Sequence, residues 1–145
     1  MKFRLKMIPP TTTAQMHKVG VRNGKPYFYD PPEVKDTKAK LMAHLAQYVP
    51  DEPLTGPLVL QVDWIWPANA RHKHLSWRDT KPDTDNIQKL LKDCMTQLGF
   101  WKDDAQVVVE AISKIYSNEQ AGIFIILDKA QPIMEAHLRE YFDGI

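Results

Sequence analysis

Leu58-Val59-Leu60-Gln61-Val62-Asp63-Trp64-Ile65-Trp66 sets Leu58, Leu60, Val62, Trp64 and Trp66 against Val59, Gln61, Asp63 and Ile65 in strict alternation, the period of a strand with one wholly apolar face. Pro67 stops it. Downstream, Ile87, Leu90, Leu91, Cys94, Met95 and Leu98 recur at spacings of three and four, which predicts an amphipathic helix closed by Gly99. Two β-branched, apolar stretches follow, Ala105 to Tyr116 and Ala121 to Leu127, with Ser117-Asn118-Glu119-Gln120 between them as a hairpin connection. Upstream, Lys2, Arg4 and Lys6 alternate with Phe3, Leu5 and Met7, the pattern of a strand that opens the sheet. Pro9 to Gly24 has no periodicity and is expected to be a loop, and Tyr27 to Tyr29 is a short strand candidate ended by Asp30-Pro31-Pro32. Glu33 to Val49 places Val34, Leu41, Leu45 and Tyr48 at helical positions between prolines, and a last helix is expected after Pro132. This order predicts an α+β fold, one small mixed sheet with two or three helices packed on it.

A chain of 145 residues has enough length for one hydrophobic core, so a single domain spanning residues 1–145 is expected. With 43% hydrophobic and 26% charged residues, the composition excludes a disordered or fibrous chain. No apolar run has the ~20 residues of a membrane span. The opening Met1-Lys2-Phe3-Arg4-Leu5-Lys6 interrupts any apolar stretch with charge, which argues against export and for a cytoplasmic protein. Cys94, the one cysteine, falls on the apolar stripe and reads as a small buried hydrophobe.

The net charge of +1 gives no whole-molecule argument for a polyanionic partner, but the distribution does. Arg71, Lys73, Arg78 and Lys81 stand against one acid, Asp79, and run directly into Asp83 and Asp85. Positive charge to hold a phosphate backbone beside carboxylates to hold a cation is the requirement of a metal-dependent phosphodiesterase. Each part has a simpler explanation. Asp85 with Gln88 three residues on would make an N-cap and capping box, Lys89 would pair with Asp85 across one helical turn, and Asp103-Asp104 would form a solvated turn. His72 and His74, one residue apart in a basic loop, are assigned no metal. Trp77 and Trp101 flank the acidic clusters as candidates for stacking on bases, whereas Trp64 and Trp66 fit a core or a dimer interface.

Taken together, Lys81-Pro82-Asp83-Thr84-Asp85-Asn86 with Lys89, followed by Gly99-Phe100-Trp101-Lys102-Asp103-Asp104-Ala105-Gln106-Val107, resembles the RusA family of Holliday junction resolvases of bacteria and their phages. The resemblance is strongest from Lys81 to Ile115. Pro9 to Gln15 and Tyr27-Phe28-Tyr29-Asp30 look like the N-terminal half of the phage-type members. It implies a RusA-like fold, with Asp83, Asp85 and Asp104 as catalytic, metal-associated carboxylates, Asp103 as a less certain ligand, and Lys89 as the catalytic lysine. It further implies Mg²⁺ dependence, a homodimer with two active sites, and symmetric nicking of four-way DNA in recombination and repair. The chemistry is consistent, because hard oxygen ligands suit Mg²⁺, with Mn²⁺ as a substitute. Backbone contacts to DNA are expected from Arg71, Lys73, Arg78 and Lys81 and from Lys18, Arg22 and Lys25 in the early loop. Two alternatives stand beside this expectation, a branched-DNA binding protein without catalysis and a metal-dependent nuclease without junction preference.

Overall fold

The computed structural model of the chain describes residues 1–11, 13, 18–29 and 31–144. The predicted central strand is β4, Leu58–Pro67, and its apolar face is completely buried from Leu58 through Trp64. It lies in the middle of a five-stranded mixed sheet of order β1-β7-β4-β6-β5, where β1 is Lys2–Leu5, β5 is Ser76–Trp77, β6 is Val107–Ser117 and β7 is Gly122–Lys129. The helices α1, Pro32–Ala46, and α2, Thr84–Leu98, pack beside each other over the buried face of this sheet. Leu41 and Leu45 of α1 and Ile87, Leu90, Leu91, Cys94 and Met95 of α2 meet Leu60, Val62, Trp64, Ile123 and Ile125 there. Each such side chain removed from water contributes roughly 1.5–3 kcal/mol, which explains why the two longest apolar patterns of the sequence become the centre of the fold. α2 ends as expected at Gly99, whose φ of 89° is in the left-handed region and whose N–H donates to the carbonyls of Met95 and Thr96.

Two expectations need correction. The segments β6 and β7 are not a hairpin, because β4 lies between them, parallel to β6 and antiparallel to β7. The physical reason is the strand–helix–strand unit β4-α2-β6, since a helical crossover returns the chain parallel and adjacent to the strand it left. Residues after Ser117 then cross the end of β4, where the Ala68 N–H donates to the Ser117 carbonyl at 2.8 Å. The supposed early loop contains a strand, β2 (Lys18–Arg22), which pairs with β3 (Lys25–Tyr29) through Asn23 and Gly24. Both turn residues have positive φ, 53° and 76°, the two-residue turn whose twist suits a hairpin. The helix expected after Pro132 is present as the short α3, Arg139–Phe142, preceded by a 3-10 turn at Glu135–Leu138. Among the described residues, no helix is long and apolar enough to cross a membrane.

Candidate active site

Asp83 and Asp85 sit at the start of α2, where the chain arrives from a loop whose last three carbonyls are held by neighbouring side chains. Arg78 is the first anchor. Its N–H pairs with the Lys114 carbonyl at 2.8 Å, its guanidinium lies 4.5 Å above the Trp66 ring, and Nε and Nη2 donate to the Lys81 carbonyl at 3.0 and 2.7 Å. Lys114 on β6 is the second, its Nζ donating to the carbonyls of Thr80 and Pro82 at 2.7 Å each. Two cations thus take three consecutive carbonyls immediately before Asp83. Charge-assisted bonds of this kind fix a backbone more firmly than neutral ones. Arg78, expected to contact DNA, is half-buried with its guanidinium bonded to protein groups; it also donates to the Tyr116 hydroxyl at 3.3 Å.

Among the described residues, the carboxylates themselves have no side-chain partner. Asp83 occupies the N-cap position of α2 with an extended backbone, φ −67° and ψ 149°, yet makes no side-chain cap bond. Asp85 lies inside the first turn, and the capping box with Gln88 does not form, because Gln88 is buried and accepts a hydrogen bond from Trp64 Nε1 at 3.2 Å. Nor does Lys89 pair back to Asp85. It reaches forward to Asp93 at 3.5 Å, a long and exposed contact worth well under 1 kcal/mol. Two acids therefore stand at the exposed start of α2 with no side-chain partner among the described residues, where the helix dipole favours negative charge, and Lys89 follows one turn further on.

The second acidic pair divides by role. Asp103 accepts the Ala105 N–H at 2.8 Å and completes a capping box with Gln106 around the 3-10 turn Asp104–Gln106. Gln106 Nε2 donates to the carbonyls of Leu54 and Gly56, fastening this turn to the connector before β4. Among the described residues the Asp104 carboxylate makes no such bond, and with Asp93, Thr96, Gln97, Lys102 and Asp103 it lines a shallow depression at the far end of α2. The fifteen residues of α2 separate it from Asp83 and Asp85 by roughly 20 Å, at 1.5 Å per residue. Among the described residues of one chain, no three of His, Cys, Asp and Glu converge on a single ion.

Around this core, Arg71, Lys73 and Lys81 are exposed on the loop, as are Arg22 and Lys25 on the β2–β3 hairpin; Arg22 also lies 5.0 Å from the Tyr27 ring centre. The Lys18 side chain and Asp30 lie outside the described residues, as do Thr12 and Ala14 through His17. Neither histidine of the loop is disposed as a ligand. His72 stacks on Tyr116 with ring centres 4.3 Å apart, and His74 Nδ1 accepts the Asn118 N–H at 3.0 Å. Trp101 is buried, its Nε1 donating to Thr96 Oγ1 at 2.7 Å, so it is not available to bases. Trp77, 74% exposed, is available. Beside it Leu75, 73% exposed, holds a φ of 58°, an unfavourable conformation for a bulky residue and one that only sequence context, not residue type, could have signalled.

Cys94 is buried as expected, and removal from water pushes its thiol up to about 11, with Lys38 partly opposing the shift. Alkylation of the folded protein at pH 8 is expected to run on the order of 10²-fold slower than that of a free thiol, and to recover in urea; thiol titration with and without denaturant checks this.

The family model described as "Endodeoxyribonuclease RusA" matches residues 8–128. YqaN of Bacillus subtilis (strain 168) is 36% identical over 110 residues, covering 68% of this chain and 77% of that protein. A protein of Lactococcus phage r1t named "Crossover junction endodeoxyribonuclease rusA" is 32% identical over 109 residues, covering 74% and 80% respectively. With the match spanning the central strands of the sheet, both central helices and all four acids of the candidate site, this chain belongs to the RusA endodeoxyribonuclease family.

Proposed function

We propose that this protein, acting as one domain, resolves four-way DNA junctions by paired nicks in a Mg²⁺-dependent hydrolysis. The observation that carries it is the pair Asp83 and Asp85, without a side-chain partner among the described residues, while Arg78 and Lys114 hold the backbone that presents them. Preorganised carboxylates with nothing to do in the fold are what a cation site needs before the cation arrives. Asp83 and Asp85 would hold the ion, which when bound activates water and screens the phosphate charge. Lys89 stands one turn further along the exposed face of α2, placed to offset negative charge that builds on the nonbridging oxygens. As the new bond from water to phosphorus forms, the bond to one sugar oxygen breaks and that oxygen takes up a proton.

Asp104 is the third carboxylate, and its distance from the others means that two copies of the chain are needed to gather all three. A homodimer then has two such sites, one for each strand to be cut. Arg71, Lys73 and Lys81, with Arg22 and Lys25 on the hairpin, would contact backbone phosphates without reading sequence. Trp77 and Leu75 form an exposed apolar rim beside the loop, suited to bases left unstacked at a branch point. The phage relative is named for crossover junctions, and that name supports the same substrate here.

The test is cleavage of a synthetic four-way junction and of linear duplex of the same sequence, with Mg²⁺ and with chelator. Symmetric nicks in the junction alone, lost on chelation, are expected. Equal cutting of both substrates would leave a nuclease without junction preference. Binding without any cutting would leave a non-catalytic junction protein.

A further inference from the structure

We infer that the cavity beside Leu75, on the sheet face turned away from α1 and α2, takes one unpaired nucleotide of branched DNA, its base against Ile65, Ile115 and Phe124 and its phosphate on Arg4 and Lys6. The inference rests on the branched-DNA reading above. Alternation along β4 decides the face. Trp64 and Trp66 belong to the core under the helices, so Ile65 between them points the other way, and its register partners Ile115 on β6 and Gly122 on β7 share that side. Trp77 stands opposite Ile115 and carries the same row to the edge of the sheet. Gly122 opens the floor. A Cβ there would lie 2.6 Å from the Leu5 carbonyl oxygen, so the close approach of β1 demands glycine and leaves the place beside Ile65 without a side chain.

The resulting cavity measures about 360 Å³ and is bounded by the loop after Ser117 and by Leu75, whose N–H is held by the Tyr116 carbonyl at 2.8 Å. Even one turn of a helix, roughly 10 Å across and about 5.4 Å high, is too large for it. The chemistry of the lining selects among smaller occupants. Arg4 and Lys6 line the cavity, and among the described residues neither side chain has an ion-pair partner, whereas the Asp63 carboxylate nearby is taken by Ser113 Oγ at 2.6 Å. Glu119 is the one acid of the lining against these two cations, and it can accept an N–H from a base edge. An apolar floor rimmed by unneutralised cations fits a flat ring that carries an anion, and the arginine fork matches phosphate oxygens. Position favours the same occupant. Lys114, which holds the Pro82 carbonyl ahead of Asp83, and Ile115, which lines the cavity, are neighbours on opposite faces of β6. An unpaired base near Asp83 reaches the cavity by passing the short β5 edge, where Trp77 is exposed for stacking.

The test uses the full chain in chelator, where no cutting occurs, with two fluorescent probes: an oligothymidylate of about eight residues and an abasic strand of the same length. Wild type is expected to bind the oligothymidylate at least tenfold more tightly, the size of one base stacked on a protein surface. Ile65→Glu places a charge on the floor and should bring the two probes within twofold of each other; Ala121→Trp fills the same space from the loop and should do likewise if Ile65→Glu fails to fold. Equal binding of both probes by wild type, or an unchanged preference in a folded variant, overturns the cavity as a base site. Arg4→Gln with Lys6→Gln should weaken both probes about tenfold and lower the slope of log affinity against log salt by about 0.7, one phosphate contact on a single strand. Lys2→Gln removes a charge from the same face of β1 outside the cavity and should cost less than twofold, and an equal loss from Lys2→Gln overturns the phosphate position. Anilinonaphthalene sulfonate bound in the cavity and not displaced by oligothymidylate would mark a site for apolar ligands and overturn the proposal. Because none of these readings needs catalysis, a chain that shows the base preference and cuts no junction fails the proposed function alone, and one that cuts junctions without the preference fails the cavity alone.

Discussion

Replacing Asp83 by Asn, or Asp85 by Asn, is expected to lower junction cleavage by about 10³-fold or more while folding and junction binding survive. Carboxamide and carboxylate have the same shape, so any loss comes from charge and metal-binding capacity. Stability should change by less than about 1 kcal/mol, because both side chains are exposed and unpaired, Asn is as good an N-cap as Asp, and only the favourable dipole interaction is forfeited. Binding to DNA should hold or tighten as negative charge leaves a phosphate-facing surface. The second acidic pair supplies an internal control. Asp104→Asn should fall as far as Asp83→Asn, whereas Asp103→Asn retains the oxygen that accepts the Ala105 N–H and should keep most activity. Single-turnover cleavage rates, thermal melts and junction gel shifts on the same preparations separate these outcomes. Unfolding of Asp83→Asn, or equal loss from Asp103→Asn and Asp104→Asn, would mean that these aspartates serve the fold rather than the chemistry.

How far the sequence reveals this depends on the residue. The faces of β4 and α2 are legible because each pattern is long and unbroken, and the structure places Trp64, Ile87 and Cys94 where alternation and helical spacing put them. Neighbourhood in the sheet was not legible. Ser117 to Gln120 looks like a hairpin connection by composition, but the helical crossover from β4 had already assigned β6 its place, which sent β7 to the other side. The β2–β3 hairpin announces itself in Asn23-Gly24 and is masked by the aperiodic stretch before it. For the site, the resemblance supplies the identities of Asp83, Asp85 and Asp104, and residue types alone do not. Their separation could have been anticipated, since a helix of fifteen residues between two clusters must hold them apart. What no sequence pattern distinguishes is which acid caps and which stays free. Gln88 and Gln106 both stand three residues after an aspartate, at Asp85 and Asp103, yet burial against Trp64 removes Gln88 from that role and leaves it to Gln106.

That burial makes Trp64 the side chain whose loss should damage the fold most. It is completely buried at the centre of β4, between Ile123 of β7 and Lys114 of β6 in register, and its indole N–H holds Gln88 of α2 at 3.2 Å. Trp64→Ala removes the largest block of apolar contact and opens a cavity, a cost of about 3–5 kcal/mol, and leaves the Gln88 oxygen unpaired in a dry environment for roughly 1–3 kcal/mol more. Against a total stability on the order of 5–15 kcal/mol, the variant should be largely unfolded or melt far below the wild type. Trp64→Phe keeps most of the apolar surface and loses the bond, so about 1–3 kcal/mol is expected. The informative step is the double variant Trp64→Phe with Gln88→Met. Gln88 Nε2 already lacks a partner among the described residues, so an apolar side chain there removes an unpaired donor as well as the orphaned acceptor. The pair should therefore be more stable than Trp64→Phe alone, by an interaction energy on the order of 1 kcal/mol read from urea midpoints at constant m-value. Strict additivity would show that the indole bond contributes nothing beyond packing, and that α2 is docked on β4 by apolar contact alone.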